Sequence, residues 1–183
     1  MIRFSLLSLV VFASACNGPG SIHLTYGDPI AVKSAVFIPE LDSNGNFAAA
    51  IVMLSDQPDL CRSLRGGRMP KKMSGVELEV LRIGDSSYLA PDVGDYTVIT
   101  AKPDRPGGYA VGEFMRNDLN CKNTLTASDA LMRSGLVTID DIQTGHDGLV
   151  SGTFDVTYGQ GDSAQGRFTA EYCELTTSHL NCQ

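Results

Sequence analysis

The side chains best suited to covalent chemistry in this 183-residue sequence are its five cysteines. Zinc sites commonly use two cysteines separated by two or a few residues, and a catalytic thiol needs a histidine beside it. No two cysteines have the two-residue separation, and the chain has only three histidines. We therefore expect no metal, no cofactor and no thiol catalysis. The cysteines are Cys16, Cys61, Cys121, Cys173 and Cys182.

The odd number of cysteines leaves one without a partner if the others form disulfides. Setting Cys16 aside leaves Cys61, Cys121, Cys173 and Cys182, an even set that is typical of an exported protein with two disulfides. Four cysteines allow three pairings, and the sequence does not choose among them. The short loop between the last two cysteines favours pairing Cys173 with Cys182 and Cys61 with Cys121.

A second group of candidates surrounds His146, where Asp140 and Asp141 precede the histidine and Asp147 follows it. A carboxylate beside an imidazole can act as an acid–base pair, which would suit a hydrolase. Asp and Gly are also the residues that turns favour for backbone reasons. We interpret this segment as a hairpin loop and keep the hydrolase as an alternative.

Three glutamates form another candidate set. Glu77 and Glu79 share one face of a predicted strand, and Glu113 lies on another strand. Glycoside cleavage would need facing carboxyl groups about 5–10 Å apart in a groove. The same spacing fits an ordinary solvent-exposed face, so these residues alone do not predict an enzyme, and we expect none.

Basic residues are concentrated in one 11-residue stretch of an otherwise acidic chain. Such a patch can bind lipid phosphates or another polyanion, such as an acidic envelope glycan, because each charge near an anionic surface is worth roughly 1 kcal/mol. A solvated loop whose charges pair with surrounding acids is the simpler interpretation, and we favour it. The residues, called the basic stretch below, are Arg62, Arg65, Arg68, Lys71 and Lys72.

The first residues of the chain have the layout of a signal peptide: Arg3, an apolar run from Phe4, and small residues up to Ala15. The run is too short to span a bilayer, which takes about 20 apolar residues. Ala13-Ser14-Ala15-Cys16 resembles the lipobox of bacterial lipoproteins. The resemblance implies cleavage before Cys16, attachment of fatty acyl chains such as palmitate to Cys16, and anchoring in the cell envelope. The alternative is an ordinary secretory signal, with Cys16 in a disulfide.

The resemblance also suggests where the anchored protein resides. In Gram-negative lipoproteins an Asp after the cysteine favours the inner membrane, so Asn17 implies transfer to the outer membrane.

Without residues 1–15 the chain has thirteen basic and twenty-one acidic residues, a balance that disfavours nucleic acid as a partner. Residues 16–29, rich in Gly and Pro, are predicted to be the lipidated cysteine and a flexible tether. Residues 30–183 form the predicted domain.

The domain alternates short apolar runs with turn residues, which predicts antiparallel sheet. We expect an antiparallel β-sandwich or a partly open barrel of about eight strands, with one short helix near residues 57–65 capped by Asp56. The predicted strands are Ala31–Ile38, Phe47–Leu54, Val76–Ile83, Tyr96–Ala101, Tyr109–Met115, Gly135–Ile139, Val150–Tyr158 and Ala164–Tyr172.

Two turns are specific enough for detailed predictions. Asp42-Ser-Asn-Gly-Asn46 predicts a hairpin turn rather than a calcium loop, because the required glutamate at the twelfth position is Met53. Centring the last hairpin on Gly161 places Phe154 opposite Phe168, Asp155 opposite Arg167 and Thr153 opposite Thr169.

The sequence-based functional prediction is a non-enzymatic, lipid-anchored envelope protein that serves as an interaction or structural module. Its expected partners are the membrane, through the lipid, and an envelope protein or polyanion. A carrier of a small apolar ligand is the other alternative. It requires a large internal pocket lined by residues such as Phe47, Ile51 and Phe168.

Overall fold

The structure is a computed structural model that describes residues 18–25, 29–85, 87–101, 103–175 and 181–182. The predicted signal peptide, Cys16 and Asn17 lie outside these residues. The elements in chain order are β1 Gly20–Leu24, β2 Ser34–Leu41, β3 Phe47–Ser55, α1 Leu60–Arg65, β4 Arg68–Met69, β5 Ser74–Ile83, β6 Tyr88–Leu89, β7 Gly94–Val98, β8 Gly107–Arg116, α2 Ala127–Ala130, β9 Met132–Ile142, β10 Leu149–Tyr158, β11 Asp162–Tyr172 and β12 Asn181–Cys182.

Eight strands form a closed, barrel-like sheet in the order β2-β3-β5-β8-β7-β9-β10-β11. The ring closes where Glu171 and Tyr172 of β11 pair in parallel with Val36 and Phe37 of β2. The β7–β8 pair is also parallel, and the other neighbours in the ring are antiparallel. The predicted mainly-β class is confirmed. The sheet is closed rather than partly open, and the sandwich alternative is not confirmed.

The inside of the ring is a single apolar core to which all eight strands contribute. Period-two alternation explains its composition, because every second residue of a strand points to the same side of the sheet. In β5, for example, Val76, Leu78 and Val80 are fully buried, whereas Glu77 and Glu79 between them are only partly buried. The alternation visible in the sequence therefore correctly predicts which residues form the core.

A second apolar cluster lies on the outer side of β2 and β3, under α1. Leu60 and Leu64 of the helix are fully buried there against Val36, Ile38 and Met53. Because both faces of these strands are covered, they appear in the sequence as continuous apolar runs rather than alternating ones.

The helix starts later than the sequence predicted, and Asp56 is not its cap. Asp59 occupies the N-cap position without a side-chain hydrogen bond. The carboxylate of Asp56 instead accepts a hydrogen bond of 2.9 Å from the backbone N–H of Ser74. The residue directly after β3 is thereby used to fix the start of β5.

Part of the predicted tether belongs to the sheet. Residues Gly20–Leu24 form β1, which pairs antiparallel with β11 from Phe168 to Ala164. Ile22 is fully buried in the inner core. The prediction of a flexible tether across 16–29 is therefore wrong for these five residues. Their single buried side chain is too weak a signal to recognise as a strand in the sequence.

The last hairpin forms with the predicted strands but in another register. Thr153 lies opposite Arg167, Phe154 opposite Gly166 and Asp155 opposite Gln165. The predicted pairs are thus wrong by two residues, because the hairpin is centred on Gln160 rather than Gly161. A shift of two residues preserves the face of every side chain. The Gln165 side-chain amide donates to the Asp155 carboxylate at 3.1 Å, a contact that the prediction gave to Arg167.

The turn between β2 and β3 is the predicted hairpin. The Asp42 carboxylate accepts backbone hydrogen bonds from Asn44 and Asn46 at 2.8 and 2.9 Å, and Gly45 has a φ of 81°. The bonds from Asn46, through its backbone and its side chain, are the main cause of the lowered pKa of Asp42. Asp42 thus shapes the turn, and no cluster of potential metal ligands occurs in the described part of the chain.

Candidate functional site

The four cysteines of the domain form two disulfides, Cys61–Cys173 and Cys121–Cys182. The favoured pairing was therefore wrong, although the prediction of two bridges is confirmed. The topology explains the error. The end of β11, where Cys173 lies, is parallel to β2 under α1, whereas Asn181 and Cys182 pair with Arg68 and Met69 of β4. Cys182 thus reaches Cys121, and Cys173 reaches Cys61, despite the short separation of Cys173 and Cys182 in the sequence.

The basic stretch runs from α1 through β4 to the loop before β5, and its five side chains are all exposed. Arg62 forms an ion pair with Asp59 at 3.6 Å, a contact that is largely solvent-exposed and therefore contributes little to stability. Lys72 has a φ of 52°, and its backbone N–H donates to the Asp118 carbonyl at 3.1 Å. This bond fixes the loop that presents Lys71 and Lys72 to solvent.

The N-terminal end of the described chain lies beside the first of these basic residues. Gly18 and Pro19 line an open depression of about 680 Å³ together with Lys33 and Arg62. The Pro19 carbonyl accepts a hydrogen bond of 2.9 Å from the backbone N–H of Thr169 in β11. The chain is therefore attached to the sheet from residue 19 onward, close to Arg62.

The three candidate glutamates lie together on the outer side of the sheet, as a carboxylate strip of Glu77, Glu79 and Glu113. Glu77 of β5 lies directly opposite Glu113 of β8. Burial, followed by the charges of Glu113 and Glu79, raises the pKa of Glu77 above its ordinary value. Burial and the charge of Glu40 raise the pKa of Glu79. The arrangement concentrates negative charge on a partly buried surface, which favours the approach of a cation.

One end of the carboxylate strip opens into a groove on the outer wall of the sheet, with a volume of about 810 Å³. Glu40, Asp42 and Glu79 provide its acidic groups. The groove is also exposed to solvent, since Tyr88 and Leu41 in its wall are 59% and 60% exposed. This outer groove combines an apolar wall with carboxylates, so it suits an apolar group that carries a positive charge. Its apolar residues include Leu41, Leu81, Ile83, Tyr88, Ile99 and Val111.

Sequence reasoning singled out the glutamates but missed the groove. The signal lies in β5, where Leu81 and Ile83 continue the same face as Glu77 and Glu79. Two apolar residues on a face that starts with glutamates indicate that this side of the strand is not an ordinary solvent surface. The remaining wall comes from segments distant in sequence, including β6, residues 99–101 and Pro103, whose position depends on the closed sheet.

The candidate acid–base loop lies at the turn between β9 and β10. The His146 side chain is 80% exposed, and its Nδ1 lies 3.8 Å from a carboxylate oxygen of Glu174. The Asp141 carboxylate accepts a hydrogen bond from the neighbouring Gln143, and Asp140 and Asp147 are exposed. In the described residues no hydroxyl or thiol is hydrogen-bonded to this imidazole. Among the described residues, this loop therefore does not bring His146 together with a nucleophile.

The three residues predicted to line a carrier pocket do not lie on one side of the sheet. Phe168 belongs to the inner core, and Phe47 packs against it. Ile51 packs against the outer cluster under α1. The wall of the sheet thus separates Ile51 from the two aromatic rings.

Comparisons of the chain with models of protein families, with curated proteins and with solved structures gave no match. Among the residues that the structure describes, no helix combines the length and the apolar character needed to cross a bilayer.

Proposed function

We propose that the protein is a lipid-anchored component of the cell envelope whose β-rich domain acts as an interaction module. The lipid attaches to Cys16 after removal of residues 1–15, and Asn17 directs the protein to the outer membrane of a Gram-negative host. The domain holds its binding surface at a fixed position near the membrane.

The cysteine pairing is the observation that carries this proposal. Two disulfides join Cys61 to Cys173 and Cys121 to Cys182. Disulfides persist in oxidising compartments and are rare in the cytosol of most organisms. The four domain cysteines need no further partner, so Cys16 remains for acylation at the position where the lipobox resemblance places it.

We assign the interaction to the outer groove. Its apolar wall, with Leu81, Ile83 and Tyr88, lies beside Glu40 and Glu79. The described residues contain no ion pair to either of these glutamates. Negative charge next to exposed apolar surface complements an envelope protein that presents apolar and basic side chains together.

The anchor is tested by changing Cys16 in the full-length protein expressed in a Gram-negative host. Wild type is expected to incorporate a fatty-acid label and to sediment with the membranes. Cys16→Ser is expected to lose the label, while Asn17→Ser, which keeps the cysteine, retains it. An unlabelled wild type, or a Cys16→Ser variant that still carries the label, contradicts the proposed anchor.

The groove is tested by quantitative capture from the protein's own envelope extract. The double variant Glu79→Gln, Tyr88→Ala is expected to lose a partner that wild type retains. Thr153→Ala changes an exposed side chain on β10, away from the groove, and serves as the matched control. If the groove variant and the control retain every captured protein equally well, the groove is not the interaction surface.

A further inference from the structure

The point at which the chain leaves the sheet limits where a lipid on Cys16 can be. Pro19 is hydrogen-bonded to Thr169, and β1 begins at Gly20. Consecutive Cα atoms are about 3.8 Å apart, so the Cα of Cys16 lies within about 8 Å of the Cα of Gly18. An anchor at Cys16 therefore brings the bilayer close to the surface that surrounds Gly18, and a long tether does not intervene.

That surface is basic on one side. Gly18 shares its depression with Lys33 and Arg62, and the carboxylates of Asp59 and Glu171 also line it. Arg62 is the first residue of the basic stretch, and the stretch continues along the chain to Lys72. The depression thus forms the border between the exit of the chain and the basic stretch.

Lys33 and Lys72 lie at the same end of the sheet. The backbone N–H of Lys33 donates to the Ser55 carbonyl at 2.8 Å, and that of Asp56 donates to the Ser74 carbonyl at 3.0 Å. These bonds align the start of β2, the end of β3 and the start of β5. Neighbouring strands are about 4.8 Å apart, so the three strands place Lys33 and the loop before β5 within about 10 Å across the sheet.

We infer that the anchored domain lies on the bilayer with the basic stretch against anionic lipid headgroups. The inference rests on the proposed anchoring through Cys16. Lipid phosphates contact Arg68, Lys71 and Lys72, and also Arg62 beside its exposed ion pair with Asp59. Attraction to a charged surface decays within a Debye length of about 8–10 Å, and the short link between Gly18 and Cys16 keeps this region within that range.

This orientation also positions the outer groove. Lys72 lies two residues before β5, and β5 ends at Ile83 in the wall of the groove. A ten-residue strand that rises about 3.3 Å per residue is about 30 Å long. The groove therefore lies about one strand length from the basic loop, where it is accessible to other envelope proteins.

The test is a chemical footprint of the lipidated full-length protein. The protein is placed in vesicles with about a third of their lipids anionic, in neutral vesicles, and in nonionic detergent. Lysine and arginine side chains are then modified and quantified by peptide mass spectrometry. Arg62, Arg68, Lys71 and Lys72 are expected to react more slowly in anionic vesicles than in detergent by about fivefold, the factor that corresponds to one charge at an anionic surface. Arg105 and Arg133, which are exposed elsewhere on the domain, provide internal controls and are expected to react equally in all three.

Flotation of the same samples separates the two proposals. Protein that floats with the vesicles but shows equal modification at all six sites overturns the orientation and leaves the anchor intact. Protein that lacks the acyl group and does not float overturns both. Protection of the basic stretch that is as strong in neutral as in anionic vesicles overturns the headgroup contact.

Discussion

At the residue scale, the last hairpin pairs aromatic rings with glycines. Phe154 lies opposite Gly166, and Phe168 lies opposite Gly152. A side chain at Gly166 would collide with the Phe154 ring, and its Cβ would lie 2.7 Å from the Ser21 carbonyl oxygen in β1. Glycine is therefore required here because the ring occupies the space of a side chain.

We predict that Gly166→Ala lowers the free energy of unfolding by about 1–3 kcal/mol, the usual cost of overpacking a core. Denaturant titration measures this difference. Gly18→Ala adds the same methyl group where no atom lies within 4 Å, and is expected to leave stability unchanged. Equal stability of Gly166→Ala and wild type would show that the ring does not pack over the glycine.

The same residues show how far the sequence predicts side-chain pairing. Alternation correctly places Phe154 and Phe168 inside and Asp155 outside. It does not reveal the register, because a shift of two residues conserves both faces. A preference for aromatic pairs favoured Phe154 opposite Phe168, but the structure gives each ring a glycine instead. The space available between strands decides this pairing, and a linear pattern does not contain that information.

Glu77 provides a prediction of pH dependence. Burial, and then the charges of Glu113 and Glu79, raises its pKa in the folded protein. The folded state therefore holds this proton at pH values at which the unfolded chain has lost it. Stability consequently falls as pH rises from the ordinary glutamate range through the raised pKa.

Glu77→Gln is expected to reduce this decline and to stabilise the protein at neutral pH by roughly 0.2–1 kcal/mol, as expected for removal of a like-charge pair across strands. Unfolding free energies measured between acidic and neutral pH test the prediction. Glu171→Gln, at an exposed position on β11, is the matched control and should follow the wild-type curve. A loss of stability at neutral pH in Glu77→Gln would mean that the carboxylate has a stabilising partner.

At the scale of elements, α1 depends on tertiary contacts, because it has only six residues and its N-cap residue provides no side-chain hydrogen bond. It is held by the burial of Leu60 and Leu64 and by the Cys61–Cys173 bridge to the end of β11. The second bridge, Cys121–Cys182, connects a loop to the two-residue strand β12. The first bridge therefore secures the outer cluster, and the second secures a peripheral segment.

We predict that Cys61→Ser, Cys173→Ser costs about 2–5 kcal/mol of stability, the usual effect of removing a native disulfide. Cys121→Ser, Cys182→Ser is the matched comparison, and a smaller loss is expected because Cys182 is exposed whereas Cys173 is fully buried. Denaturant titration of both variants tests the order. Peptide mapping without reduction should show the same two bridges, and a Cys173–Cys182 peptide would contradict this arrangement.

Element prediction succeeded where the signal was local and failed where it depended on distant pairing. Strand β3, from Phe47 to Ser55, matches its prediction almost residue for residue. Strand β2 continues through Pro39, which the sequence suggested as its end. Beyond Phe37, β2 pairs only with β3, so Pro39 needs no N–H for a second neighbour. The docking of β1 on β11 joins residues at least 140 positions apart, and no local pattern encodes it.

At the scale of the whole molecule, the closed sheet separates two kinds of surface. The basic stretch lies near the exit of the chain at Gly18, and the outer groove lies at the far end of β5. Composition alone showed the acidic balance and the clustered basic residues. The closed fold places the basic stretch and the outer groove at opposite ends of β5. An anchored domain would therefore have a defined orientation. That separation supports the proposal that one surface faces the bilayer and the other faces a partner.

The mass of the mature N-terminal peptide tests the proposed lipid anchor most directly. The protein is purified from the membranes of its own host or of a Gram-negative expression host, and digested. We predict an N-terminal peptide that begins at Cys16 and carries covalently bound fatty acyl chains. An unmodified N-terminus downstream of Cys16 would contradict the claim.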